Sequence, residues 1–331
     1  KKLGPVMLAL RHISRRVYGG AGRLAALNAR QISTGGFDEV VNGVPVSVFN
    51  PSGKDRVVVT KDLPGTRWME VLTSNGCRVE VCRDKDTILP NSTIKKLMGD
   101  KCEGVLGQLT EDWGDELFGA LKAAGGKAFS NYAVGYNNVD VAAGNKHGIP
   151  IGNTPGVLTE TTAEIALALT FAAGRRVVEA DEFMRKGMYK GWLPDLFVGN
   201  HLQGATVGII GAGRIGVAYA RMMVEGHKMN VVYYDLYQSN KLEGYVSAYG
   251  TFLESQGEPA VTCTRMDSVE DVLKVSDVVS LHCLLDAQST HLINKERLNL
   301  MKKDAILVNA ARGPVVDEVA LVAHLQANPE F

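Results

Sequence analysis

Several features are missing from this sequence, and each absence removes a class of function. There is no charge imbalance: 36 Lys and Arg face 36 Asp and Glu over 331 residues. No global field therefore points to nucleic acid, a membrane surface or another polyanion as partner. No apolar run approaches the ~20 residues a membrane span needs; the longest lies around Ile165–Ala173. Cysteine is sparse and odd in number: Cys77, Cys82, Cys102, Cys263 and Cys283, with no CxxC pair. That scatter suits buried thiols in a reducing compartment, not a disulfide framework or a zinc site. The seven histidines are dispersed as well, so no metal site is expected.

Acid is absent from the start of the chain, where nothing acidic precedes Asp38 while Lys1, Lys2, Arg11, Arg15, Arg16, Arg23 and Arg30 are basic. An Arg-rich, acid-poor stretch of this kind has the character of an organelle transit peptide, with mitochondrion or plastid as destination. A disordered basic tail is the alternative. Residues 1–40 are set aside from the fold argument on this ground.

The remainder is long enough for about two domains at ~100–200 residues each. Val44–Phe49 reads as a strand, being β-branched and aromatic between Gly43 and the turn Asn50-Pro51-Ser52-Gly53. Helix is expected over Arg67–Thr73, Ile94–Met98 and Glu116–Ala124, and strand over Arg78–Cys82, Gly104–Leu109 and Ala128–Asn131. Alternation of this kind implies a parallel sheet with right-handed crossovers. A turn at Gly152-Asn153-Thr154-Pro155-Gly156 separates a first domain, about 41–155, from a second, about 156–331. The second opens with a capping-box pattern, Thr161 and Glu164. The helix that follows is apolar nearly all round up to Arg175-Arg176, which suggests burial between domains or subunits.

The most informative stretch lies further on. Thr206–Ile210 reads as a short buried strand running into Gly211-Ala212-Gly213-Arg214-Ile215-Gly216, a GxGxxG that opens a helix. The next strand, Asn230–Tyr234, ends at Asp235, nineteen residues after Gly216. Each residue type has a physical reason here. Gly211 permits the tight turn, Gly213 lets the backbone approach a pyrophosphate, and Gly216 lets helix and strand pack closely. The helix mouth offers free N–H groups and a positive dipole end to phosphate. The Asp235 carboxylate suits ribose hydroxyls and would repel a 2′-phosphate, which favours NAD(H) over NADP(H). The acid at this distance and the flanking strand and helix make the motif far more specific than a bare GxGxxG.

Further strands are expected at Asp277–His282 and Ala305–Asn309. Ligands of open α/β sheets bind at the carboxyl ends of strands, and Arg312 lies just past the last one. Its guanidinium is permanently charged and forks onto carboxylates; anchoring an acidic substrate is one reading and a surface ion pair the other.

Taken together, these segments resemble the D-2-hydroxyacid dehydrogenase family and, within it, the plant-type NADH-dependent hydroxypyruvate reductases (glycerate dehydrogenases). The stretches that carry the resemblance are Gln108–Gly114, Gly126–Val141 (GKAFSNYAVGYNNVDV), Asn153–Thr162, the glycine motif and Asn309–Glu318 (NAARGPVVDE). The resemblance implies an α/β fold of two Rossmann-like domains. A flavodoxin-like substrate-binding domain (41–155) precedes a doubly wound parallel-sheet NAD-binding domain (156–331). It implies reduction of hydroxypyruvate to D-glycerate, and of glyoxylate to glycolate, by a homodimer that acts on small 2-oxo or 2-hydroxy acids. Phosphoglycerate or formate dehydrogenase, or a non-catalytic NAD(H)-sensing scaffold, are the alternatives. By the same resemblance Val134 and Gly135 hold the substrate carboxylate through backbone amides, and Arg312 is the catalytic arginine that bridges carboxylate and 2-oxo oxygen. Arg214 and Ile215 contact the pyrophosphate with Gly211, Gly213 and Gly216; Asp235 holds the ribose, and Cys283 and Ala310 line the cofactor. His282 falls to packing or cofactor-side hydrogen bonding. Trp192, in the connection 187–204, is a candidate specificity residue at a dimer contact.

The family's proton donor, a histidine tuned by a glutamate downstream of the arginine, has no counterpart here. His324 falls on an expected helix, Glu318–Gln326, and is a poor substitute. The expectation is a chain truncated at its C-terminus, lacking the segment that returns to the first domain. It should bind NAD(H) with much reduced turnover. Relatives that are peroxisomal carry a C-terminal tripeptide, so the peroxisome is the alternative location.

Overall fold

A computed structural model describes residues 36–329 and 331. The expected transit-like segment lies almost wholly outside the described residues. The chain forms two compact units. The first holds residues up to Gly107 with 116–129 and 147–150; the second holds 108–115, 130–146 and 151–331.

The strands β1 (Phe37–Val41), β2 (Val44–Phe49), β3 (Asp55–Val59), β4 (Cys77–Cys82), β5 (Gly104–Gly107), β6 (Ala128–Asn131) and β7 (Ile151–Gly152) form one sheet in the order β1-β2-β4-β3-β5-β6-β7. β3 pairs in parallel with β4 and β5, whereas β2 runs antiparallel to β1 and β4. The sheet is therefore mixed at one edge. β1 overlaps the end of the stretch set aside up to residue 40. Its cause is the two-residue turn Asn42-Gly43, with φ of 50° and 81°, which is the turn type that closes a hairpin. β3 is not expected from the sequence either. Its apolar Val57–Val59 is flanked by charges, and Arg56 is accommodated because its guanidinium pairs with the buried Glu80 of β4 at 2.6 Å. Burial pushes the Glu80 carboxyl up, but hydrogen bonds from Arg56 and Arg78 outweigh this and hold it below its usual range.

The second unit is built on β8 (Thr206–Ile210), β9 (Asn230–Tyr234), β10 (Cys263–Arg265), β11 (Val278–Leu281) and β12 (Ile306–Asn309), ordered β10-β9-β8-β11-β12. Every pairing is parallel, so all five carboxyl ends lie along one edge. One face buries Val207, Ile209, Val231 and Tyr233 against Tyr219, Met223 and Val224 of the helix Arg214–His227. The other buries Ile210, Val279 and Leu281 with Val272 and Leu273 of the helix Val269–Val275. Two apolar faces covered by helices are what a parallel sheet requires.

The helix expected near Thr161 runs from Thr159 to Gly174, and no side chain caps it. The capping box does not form, because the Thr161 hydroxyl donates back to the Leu158 carbonyl at 3.1 Å. Ala163, Ala166, Thr170 and Gly174 are buried on one face, while Ile165 and Leu169 are exposed on another.

Candidate active site

The glycine motif folds as strand, turn and helix. At Gly211 φ is +96°, and a Cβ would lie 2.6 Å from the Cys283 amide nitrogen. A side chain there would meet both backbone strain and a collision. At Gly216 a Cβ would run into the Gly211 carbonyl, so helix and loop close on each other only through glycine. Gly213 is different: a Cβ would meet nothing within 4 Å. The space in front of it is open, where a ligand can approach the backbone. No side chain caps the helix that begins at Arg214, and its first turn holds no acid. Its leading N–H groups and dipole are thus left for an anion. Arg214 and Ile215 form that first turn.

Asp235 follows β9. Its Oδ2 accepts the Ala212 N–H at 2.8 Å and its Oδ1 accepts the Tyr237 N–H at 3.0 Å. The first bond ties the carboxylate to the glycine loop, the second to its own turn, and lone pairs remain on each oxygen for further donors.

His282 and Cys283 follow β11. The His282 backbone N–H donates to the Ile210 carbonyl at 2.8 Å, which ties this segment to the glycine loop. His282 Nε2 lies 2.9 Å from Ser280 Oγ, and its ring packs 5.2 Å from that of Tyr219. Burial lowers its pKa to about 4, so the imidazole is neutral near pH 7. Burial also pushes the Cys283 thiol up, which makes it an apolar wall and not a nucleophile.

Ala310, Ala311 and Arg312 follow β12. Asn309 braces them: its Oδ1 accepts the Ala311 N–H at 3.0 Å and its Nδ2 donates to the Arg312 carbonyl at 2.8 Å. The Arg312 side chain donates from Nε to Asn137 Oδ1 at 3.1 Å and from Nη1 to the Ala311 carbonyl at 2.9 Å. Its Nη2 occupies the place a Cβ on residue 135 would need, so Gly135 is required by the arginine's approach.

Loop 132–138, also in the second unit, is held from behind. The Val134 carbonyl accepts Asn153 Nδ2 at 2.9 Å and the Gly135 carbonyl accepts Asn131 Nδ2 at 3.0 Å. Asn131 is fully buried and bonds Asn138, which in turn donates to the carbonyls of Gln108 and Glu111. With both carbonyls tied inward, the Val134 and Gly135 N–H groups make no hydrogen bond among the described residues.

Two groups emerge. The glycine loop, Asp235 and Cys283 come together, and so do Val134, Gly135 and Arg312. Asn131, Asn137, Asn138 and Asn309 are not singled out by the sequence. They stand inside the quoted motifs, but nothing in a sequence shows which amides face inward. Trp192 is strongly exposed, at 79%. His324 bonds Asn328 and stacks edge-on to Phe331. Among the described residues no cluster of His, Cys, Asp or Glu could hold a metal, and no helix is long and apolar enough to cross a membrane.

A parallel sheet of this order, with an uncapped glycine-led helix after β8 and an acid after β9, defines a dinucleotide-binding α/β domain. The open space at Gly213 and the free helix mouth fit a bound NAD. Comparison with known proteins narrows the class. Residues 167–329 match the family described as D-isomer specific 2-hydroxyacid dehydrogenase, NAD binding domain. A protein named peroxisomal glycerate dehydrogenase HPR from Arabidopsis thaliana is 66% identical over 288 residues, 87% of this chain and 75% of that protein. A glyoxylate reductase of Korarchaeum cryptofilum is 39% identical, over 82% of this chain and 76% of its own. Among solved structures, the TT0316 protein of Thermus thermophilus superposes with a TM-score of 0.70 at 37% identity, covering 82% of this chain and 78% of that one. The chain belongs to the D-isomer specific 2-hydroxyacid dehydrogenase family. The mitochondrial or plastid destination finds no support in these relatives, one of which is named as peroxisomal.

Proposed function

We propose that the chain reduces hydroxypyruvate to D-glycerate with NADH, and glyoxylate to glycolate as a second reaction. One observation carries this reading. Arg312 is held by Asn137 beside two backbone N–H groups, of Val134 and Gly135, that have no partner among the described residues. Such an arrangement is built for a small anion with a neighbouring carbonyl. The names of the Arabidopsis and Korarchaeum relatives support the two substrates.

When bound, NADH would supply the hydride for the substrate C2, and the proton that completes the hydroxyl group would come from solvent water. The chain's own residues orient and stabilise. Gly211, Gly213 and Gly216 open the helix mouth to the pyrophosphate, with Arg214 and Ile215 against it. Asp235 accepts the ribose hydroxyls, and Cys283 and Ala310 line the pocket. The Val134 and Gly135 amides hold the substrate carboxylate. Arg312 bridges that carboxylate and the 2-oxo oxygen, where its fixed charge stabilises the negative charge that builds during reduction. His324, tied to Asn328, is given no proton-transfer role.

In this reading residues 41–155 serve the substrate and residues 156–331 the dinucleotide. The exposed Ile165, Leu169, Val177 and Val178 form the contact of a homodimer, and the working location is the peroxisome. The test is hydroxypyruvate binding to the NAD⁺ complex, which cannot reduce it, by calorimetry, for the chain and for Arg312→Gln. The variant should keep its NADH affinity and lose about tenfold to a hundredfold in hydroxypyruvate affinity. Equal hydroxypyruvate affinity in both would overturn the reading. A substrate panel with phosphoglycerate and formate separates the neighbouring activities.

A further inference from the structure

The end of the dinucleotide site that faces Asp235 carries a cation that the proposed reaction does not use. Arg265 is the last residue of β10, paired in register with Tyr233 of β9. Its guanidinium reaches across the strand ends: Nη2 donates to the Asp235 carbonyl at 3.0 Å and to the Leu236 carbonyl at 3.2 Å. No hydrogen bond occupies Nε or Nη1 among the described residues, and the residue is exposed. The arginine is therefore anchored by one nitrogen to the backbone of the very residue that selects the ribose, with its other donors toward solvent.

In Rossmann domains the acid after the second strand accepts the ribose 2′-hydroxyl, and an arginine nearby serves the 2′-phosphate where the phosphorylated dinucleotide is used. Both elements are present in this chain. We propose that Arg265 is a ready-made 2′-phosphate site that the Asp235 carboxylate keeps closed, so that loss of that negative charge turns the protein toward NADPH. The proposal rests on the assignment of the glycine loop to a dinucleotide.

The physical case is one of charge and geometry. A 2′-phosphate brings about −1.5 to −2 charges and strong acceptor oxygens. Beside an ionised Asp235 that charge is repelled. Beside a neutral side chain it meets a guanidinium already held in place, and a pre-organised arginine loses little entropy when it forks onto phosphate. Glu243 is the other carboxylate close to Arg265, which it couples to electrostatically. It is engaged by the Tyr233 hydroxyl and by Gln238 Nε2 at 2.7 Å. Its repulsion of the phosphate is the same in every variant below and cancels in their comparison.

Asp235→Asn is the suitable change. The amide oxygen can still accept the Ala212 N–H that Asp235 Oδ2 accepts at 2.8 Å, so the glycine loop keeps its support. The experiment is fluorescence titration of NADH and of NADPH against the unaltered chain, Asp235→Asn, Asp235→Asn/Arg265→Gln, and Arg265→Gln. The unaltered chain should bind NADH well and NADPH poorly. Asp235→Asn should bind NADPH about tenfold to a hundredfold more tightly than the unaltered chain, and the double variant should lose that gain. Arg265→Gln, which leaves the loop's carboxylate in place, should weaken NADPH more than NADH. No gain in Asp235→Asn, a gain that persists without Arg265, or an equal loss of both dinucleotides in Arg265→Gln would each overturn the proposal. An unaltered chain that binds neither dinucleotide would instead defeat the underlying assignment.

Discussion

His282 shows how one residue's surroundings set its chemistry. It stands one step past β11 beside the glycine loop, where a histidine invites a catalytic role. Its ring is enclosed: Nε2 meets Ser280, and Nδ1 is buried without a partner. Burial takes its pKa from an ordinary 6.5 down to about 4. The unfolded chain therefore takes up a proton first as the pH falls. Stability is full above about pH 6.5 and declines as the pH drops toward 4, by about 3 kcal/mol in total. Urea unfolding at pH 7 and pH 5 should show this decline, and His282→Gln should remove most of it. An unchanged pH slope in the variant would mean that the histidine is not so enclosed. The sequence could suggest that His282 packs, since it ends an apolar strand. The burial that keeps it neutral is tertiary, with the ring of Tyr219 from a distant helix packed near it.

At the scale of elements, legibility followed the strength of local signals. β8 and β9 have the bounds expected from their apolar runs, and the glycines between β8 and its helix dictated the turn. Where local and tertiary signals diverged, the sequence misled. β3 looks polar at its start because the buried partner of Arg56 lies on another strand. The helix Val177–Arg185 begins at Arg176, a non-glycine residue in left-handed conformation with φ of 52°, which no turn signature announces. The helix Thr159–Gly174 reads as apolar all round, yet Ile165 and Leu169, four apart on one face, are 57% and 47% exposed. Val177 and Val178, on the next helix, are exposed as well, and exposed apolar side chains in number are what a subunit contact would cover. Sedimentation should find a dimer at micromolar concentration, and Ile165→Glu with Leu169→Glu should shift it to monomer. A monomer before substitution would rule out this face as the subunit contact.

For the molecule as a whole, the proposed site depends on where the parallel strands end. Asp235, Gly211, Cys283 and Arg312 follow four different strands of one sheet, and parallel pairing brings their carboxyl ends to the same edge. The fold and the glycine turn after β8 were legible because they depend on short-range spacing. The asparagines that brace loop 132–138 and Arg312 were not, because their contacts depend on which buried carbonyls they meet. The proposed site places a pyrophosphate in the open space before Gly213. Gly213→Asp tests it most directly. The position has an ordinary φ of −74° and no neighbour for a Cβ, so the fold should tolerate the change, while the new carboxylate would stand where the phosphates belong. NADH titration should show at least about a hundredfold loss of affinity with an unchanged melting temperature. NADH binding as tight as in the unaltered chain would contradict the account.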